Sequence, residues 1–136
     1  MSDNKNTTMS DPGSKIRQFR HEIEAWKRSL EFIIQENSIL KNRLAEVLNT
    51  SSNQSSIIDE SEQYQNCFVQ TDEYIWLIRK EIDELDQLLL GNMYPDDKFL
   101  NAVIQKQKKL SADMQAVARE FNKMKSEFSN YLGEIL

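Results

Sequence analysis

The sequence predicts an all-α fold: an up-down-up antiparallel bundle of three long, heptad-patterned, coiled-coil-like helices, with dimerisation expected. Three observations predict it. Apolar residues recur at alternating gaps of three and four along most of the chain, the 3.5-residue period of a helix that packs against other helices. Only three Gly and two Pro occur in 136 residues, so tight turns are few and the elements between them are long. The apolar set is 39% of residues and the charged set 29%, a balance that suits a slender core. The length suits one domain.

Residues 1–14, MSDNKNTTMSDPGS, carry no apolar run and cannot bury enough surface to offset the entropy of ordering them. A disordered N-terminal tail is expected there, with the bundle over 15–136. The first helix, about 15–49, has the seam Ile16, Phe19, Ile23, Trp26, Leu30, Ile33, Asn37, Leu40, Leu44 and Val47, five heptads with one polar interruption. Asn49 to Ser56 contains no apolar residue and reads as the connection, and Ser56 with Asp59 resembles a loose capping box. The second helix, about 56–90, has Ile57, Ser61, Tyr64, Phe68, Thr71, Ile75, Ile78, Ile82, Leu85 and Leu89 in its seam. Gly91 is placed for a left-handed residue just past its end. Pro95, Asp96 and Asp97 then put a proline and two anions in the first turn of the third helix, about 95–135. Its seam runs Leu100, Val103, Gln107, Leu110, Met114, Val117, Phe121, Met124, Phe128, Tyr131 and Ile135.

Short loops make sequential helices antiparallel. Reflecting each helix through its turn sets Asn37 level with Cys67 to Thr71 and near Phe121, and Trp26 level with Ile78 and Leu110. Charge agrees with this order. The first helix has seven Lys or Arg against five acids and the third has seven against six, whereas residues 51–90 carry Arg79 and Lys80 against nine acids. An acidic middle helix between basic neighbours gains attraction, a few tenths of a kcal/mol per exposed pair. In architecture alone, the three heptad helices with Trp26 at a core position of the first resemble spectrin-type or syntaxin-N-terminal-type bundles. That resemblance implies no residue role and no activity.

Little in the chain points to catalysis, and a non-enzymatic protein without cofactor is expected. A bundle metal centre needs inward Glu-x-x-His pairs on facing helices, but the single histidine, His21, falls on the outer face with Gln18 three residues before it. Cys67 has no adjacent base to activate it and is expected to border the core as a small packing residue. No phosphate-cradling glycine loop, nucleophile elbow or CxxC pair occurs. Net charge is −5, and the basic residues early in the first helix are interleaved with Glu22 and Glu24, which argues against a nucleic-acid stripe. No run approaches the roughly 18 apolar residues of a membrane span. One cysteine excludes an internal disulfide, and Met1 to Ser14 resembles no signal peptide, so a cytoplasmic soluble protein is expected.

Two polar seam residues carry more information. Asn37 at an a position is costly alone and is a device for fixing register or oligomeric state, with Thr71 as its expected partner in the same polar layer. The apolar surplus outside the seams is the strongest hint of function. Phe32 and Ile39 lie seven apart on the first helix, Val69 and Trp76 seven apart on the second, and Leu77 adjoins. All five face away from a three-helix core, and an exposed apolar row marks contact with another chain. The expected function is therefore protein–protein association as a scaffold or adaptor, with this interface serving a homodimer or an unknown protein partner. The alternative expectation is a bundle that holds a small ligand or client helix in a pocket around Asn37, Cys67 and Thr71. Helix exchange between two copies through the Ser-rich turn is a third arrangement compatible with the seams.

Overall fold

The computed structural model describes residues 12–50, 54–91 and 96–136. Three helices follow one another: α1 (Pro12–Thr50), α2 (Ser55–Leu90) and α3 (Asp97–Ile135). They make up 97% of the described residues, among which there is no strand. At 36 to 39 residues each, they run about 55 Å at 1.5 Å per residue.

Cross-helix contacts show the relative directions. Between α1 and α2 the partners run in opposite senses, from Arg20 with Asp86, through Lys27 with Asp83, to Lys41 with Asp72. Between α2 and α3, Ser61 meets Tyr131 while Glu81 meets Lys109, again antiparallel. Between α1 and α3 the partners advance together, Glu22 with Gln107 and Glu36 with Lys125. The order is up-down-up.

The heptad seams become the core. Ile23, Leu30, Phe68, Ile75, Ile78, Ile82, Leu85, Val103, Val117 and Phe128 are almost wholly buried. Trp26 is buried as well. Ile16, Phe19, Tyr64 and Ile135 pack against this core while keeping part of their surface exposed. Leu132, outside the a and d positions, is buried too. An aromatic cluster closes the end of the bundle near the α1–α2 turn, with Phe68 edge-on to Phe128 at 5.2 Å and Tyr64 5.2 Å from Phe128. Such pairs add about 0.5–1.5 kcal/mol each beyond their burial.

Charge segregation becomes ion pairing across the grooves. Lys27 lies 3.7 Å from Asp83 and 3.6 Å from Asp86, Arg20 reaches Asp86 at 3.7 Å, and Lys41 pairs with Asp72. On the other groove Lys109 bridges Glu81 at 2.8 Å and its own Asp113 at 2.9 Å. These bonds hold the Lys109 ammonium proton well above its usual range, Glu81 contributing most. Lys125 makes two contacts, at 2.9 and 3.0 Å, with the Glu36 carboxylate.

The helix ends differ from expectation. Helix α1 begins at Pro12, so Pro12, Gly13 and Ser14 form its first turn rather than tail; residues 1–11 lie outside the described residues. The residue before α2 is Gln54, with no side-chain cap bond, and Ile57 and Ile58 both bond its carbonyl at 3.1 Å. Ser56 already lies inside the helix and forms no capping box. Gly91 has φ −82° and ψ −4°, an α-helical geometry, and its N–H bonds the Gln87 carbonyl at 3.0 Å. No described residue has positive φ, so the left-handed cap expected at Gly91 is absent and the helical ladder simply runs one residue further. Asp96 caps α3 by accepting from the Phe99 N–H at 2.8 Å, which offsets one orphan amide and favours the positive helix end. The expected start at Pro95 lies outside the described residues.

Candidate association surface

Two polar layers interrupt the core. In the first, Asn37 is fully buried. Its Nδ2 donates to the Phe68 carbonyl at 3.0 Å and to Asp72 Oδ1 at 2.8 Å, while its Oδ1 has no partner among the described residues. Asp72 also accepts from Lys41. The expected partner, Thr71, is turned elsewhere: its hydroxyl donates to the Cys67 carbonyl one turn back, at 2.9 Å. Asp72 replaces it because the next position along α2 faces α1, and a carboxylate is the stronger acceptor for a buried amide. In the second layer, Tyr131 and Ser61 share a 3.1 Å hydrogen bond and the Tyr131 hydroxyl donates to the Ile57 carbonyl at 3.2 Å. Gln107, a polar a-position residue of α3, reaches Glu22 at 2.9 Å.

Cys67 is exposed, which corrects the expectation that it packs at the core border. With Asn37 inside, Cys67 outside and Thr71 bonded to its own helix, these three do not converge on one pocket. His21 is exposed on α1. Among the described residues no group of three or more His, Cys, Asp or Glu could hold a metal ion, and no helix is long and apolar enough to cross a membrane.

The five apolar surplus residues are all exposed, Phe32 and Trp76 each at 62%. They do not form one stripe. Phe32 lines a groove of about 390 Å³ shared with Ala118, Phe121 and Asn122 of α3, while Ile39 is exposed one heptad further along α1. Val69 lies in the groove toward α1, with Lys41, Ala45 and Leu48. Trp76 and Leu77 come together, bordering a depression of about 400 Å³ with Asp72 and Glu73. On its other side Trp76 opens onto a broad cleft of about 1230 Å³ that continues past Lys80 and Leu88 to Phe99 and Lys106. The Lys80 ammonium sits 5.6 Å from the centre of the indole. Leu88, 43% exposed beside Leu90 at 52%, extends the apolar surface of α2 beyond the residues singled out from sequence.

Comparison with protein-family models, with curated proteins and with solved structures finds no match for this chain.

Proposed function

We propose that this chain is a non-enzymatic helical bundle that mediates protein–protein association as a scaffold or adaptor, and that its first partner is a second copy of itself. The observation that carries this reading is Trp76, 62% exposed with Leu77 beside it at 55%. Tryptophan left in water on a rigid helix is the residue type that dominates interface energetics once desolvated. Covering one such side chain contributes about 2 kcal/mol through lost apolar surface. The heptad seams give the three helices coiled-coil-like packing, and the ion pairs along the grooves fix their order, so the outer face of α2 is presented on a stiff support.

Light scattering on a size-exclusion column, with reductant and over a range of loading concentrations, is the test. The proposal expects a mass that rises from 16.0 kDa toward twice that value. Trp76→Asp should keep the helical circular dichroism and stay monomeric throughout. A Trp76→Asp protein that associates as the parent does would overturn the assignment of this surface.

A further inference from the structure

The charges on α2 divide by face. Asp72, Glu81 and Asp86, on its flanks, and Asp83, exposed one heptad beyond Trp76, are all engaged by basic residues of α1 or α3. Glu73 and Lys80 are on the outer face and are exposed. Among the described residues neither Glu73 nor Glu84, exposed one heptad beyond Leu77, has an ion-pair partner, and the Lys80 ammonium lies over the Trp76 ring. Glu73, Trp76, Leu77 and Lys80 are spaced i, i+3, i+4 and i+7, so they share one strip of helix about 10 Å long. The strip reads acid, aromatic, aliphatic, base.

Such an order is self-complementary when reversed. We infer that α2 docks antiparallel against α2 of a second copy, about a two-fold axis passing between Trp76 and Leu77. This inference rests on the self-association proposed above and says where and in which orientation it occurs. The axis sets Trp76 of each copy beside Trp76 of the other and Leu77 beside Leu77, on the two sides of a central line where Glu73 comes opposite Lys80 twice, as an isologous contact requires. One helical turn further out, Val69 and Gln70 come opposite Glu84 and Asp83, so no like charges meet along the strip. A parallel arrangement would set Glu73 against Glu73 and Lys80 against Lys80. An antiparallel axis shifted onto either charged residue would do the same for that residue. The charge pattern thus disfavours the parallel orientation and these two shifted registers. The strip from Val69 to Glu84 spans about 24 Å, and at a helix diameter of about 12 Å it covers roughly 300 Å² per partner. That is below the roughly 800 Å² per partner of a standard stable complex, so the dimer is weak and concentration-dependent.

Charge reversal tests the geometry. Glu73→Lys and Lys80→Glu each turn two attractions per dimer into two repulsions. An exposed pair changes affinity about twofold in either sense, so each variant should dimerise at least tenfold more weakly than the parent, with unchanged helical circular dichroism. The double variant E73K/K80E restores both attractions and should dimerise as the parent does. An equimolar mixture of the two single variants should form a heterodimer, because every facing pair is then again opposite in sign. If the parent chain dimerises but the single reversals leave its dissociation constant unchanged, or the double variant stays as weak as the singles, the antiparallel α2 contact is wrong while self-association stands. If the parent is monomeric at every concentration, self-association itself falls, and this contact with it.

Discussion

Placing aspartate at Asn37 is the sharpest probe of the buried polar layer. The two side chains are nearly isosteric, so packing is conserved while both Nδ2 donations, to Phe68 O at 3.0 Å and Asp72 Oδ1 at 2.8 Å, become contacts between oxygens. The site is fully buried, and the new carboxylate would face that of Asp72. Burial and a like charge both favour the protonated acid. A rise of about three units above the usual aspartate value near 3.9 corresponds to about 4 kcal/mol at neutral pH. Loss of the bond to Phe68 O adds about 1 kcal/mol. Asn37→Asp is therefore expected to lose about 5 kcal/mol at pH 7.5, enough to unfold a marginal domain.

The sign with pH follows from linkage. In this variant the folded state binds a proton that the unfolded chain releases near 3.9, so stability relative to the parent is greatest below that value. It is lost as pH rises through the raised folded pKa. When the new acid is protonated, its O–H can replace the amide donation to Asp72. At pH 4.5 the deficit should shrink to about 1–2 kcal/mol. Urea denaturation of parent and variant at both pH values, followed by circular dichroism, measures this. An equal deficit at the two pH values, or one below about 1 kcal/mol at pH 7.5, would refute the placement of Asn37 beside Asp72. Asn37→Leu is the companion: it removes both donations and the unpartnered Oδ1 together, two effects of opposite sign, and should stay within about 1 kcal/mol of the parent. A change of mass in solution with that variant would mean the asparagine also specifies assembly.

Two further expectations concern the rest of the core and the alkaline limb. Tyr131→Phe removes the hydroxyl that joins Ser61 to the Ile57 carbonyl and should cost about 1–2 kcal/mol in urea unfolding; combined with Ser61→Ala the loss should be smaller than the sum, since no orphan hydroxyl is left. Tyr64 and Tyr74 have their pKa raised, first by burial and then by Glu127 and Asp113 respectively, and Lys109 is raised by its bonds to Glu81 and Asp113. All three hold protons in the folded state that the unfolded chain gives up near pH 10, so their contribution is intact below pH 10 and declines as pH climbs through the folded values. Urea midpoints at pH 8, 9.5 and 11, read with tyrosinate absorbance, should hold steady and then fall; a midpoint that rises above pH 10 contradicts the assignment.

Helix number, order and core were legible because periodicity reports burial directly. A residue at a or d has nowhere else to go once three seams face one another, and Ile23, Phe68 and Val117 are accordingly buried. What periodicity does not encode is which neighbour a polar side chain chooses. Thr71 shares a seam with Phe68 yet bonds its own helix, while Asp72, one position off the seam, takes the Asn37 amide. That outcome depends on the facing angle of α1 and on the charge of Lys41. Leu132 was missed for a related reason: a and d positions alone underestimate how far a three-helix core wraps toward the flanks near a helix end. The turn chemistry misled because Gly91 continues an α-helical bond to Gln87, and glycine permits a left-handed cap without requiring one. The surplus residues were correctly read as exposed, but heptad letters do not say on which side of a helix the neighbour lies. Phe32 therefore faces α3 and Val69 faces α1.

The division of α2 into flanks and outer face connects these observations to function. Its flanking carboxylates are neutralised within the bundle by Arg20, Lys27, Lys41 and Lys109. They set helix order and contribute little to the outside field, because paired charges a few ångströms apart act at range as dipoles. The outer face keeps an acid and a base on opposite sides of Trp76 and Leu77. In the proposed dimer the same electrostatics would act between molecules, steering and orienting, while the indole would supply most of the binding energy. Salt separates the two contributions. Raising ionic strength to about 1 M shortens the screening length to about 3 Å and should largely abolish the difference between parent and charge-reversed chains while leaving the Trp76-dependent association in place. Folding should be less sensitive, since its main support is the buried seam and solvent-exposed groove ion pairs such as Lys27 with Asp83 and Lys109 with Glu81 contribute little to it.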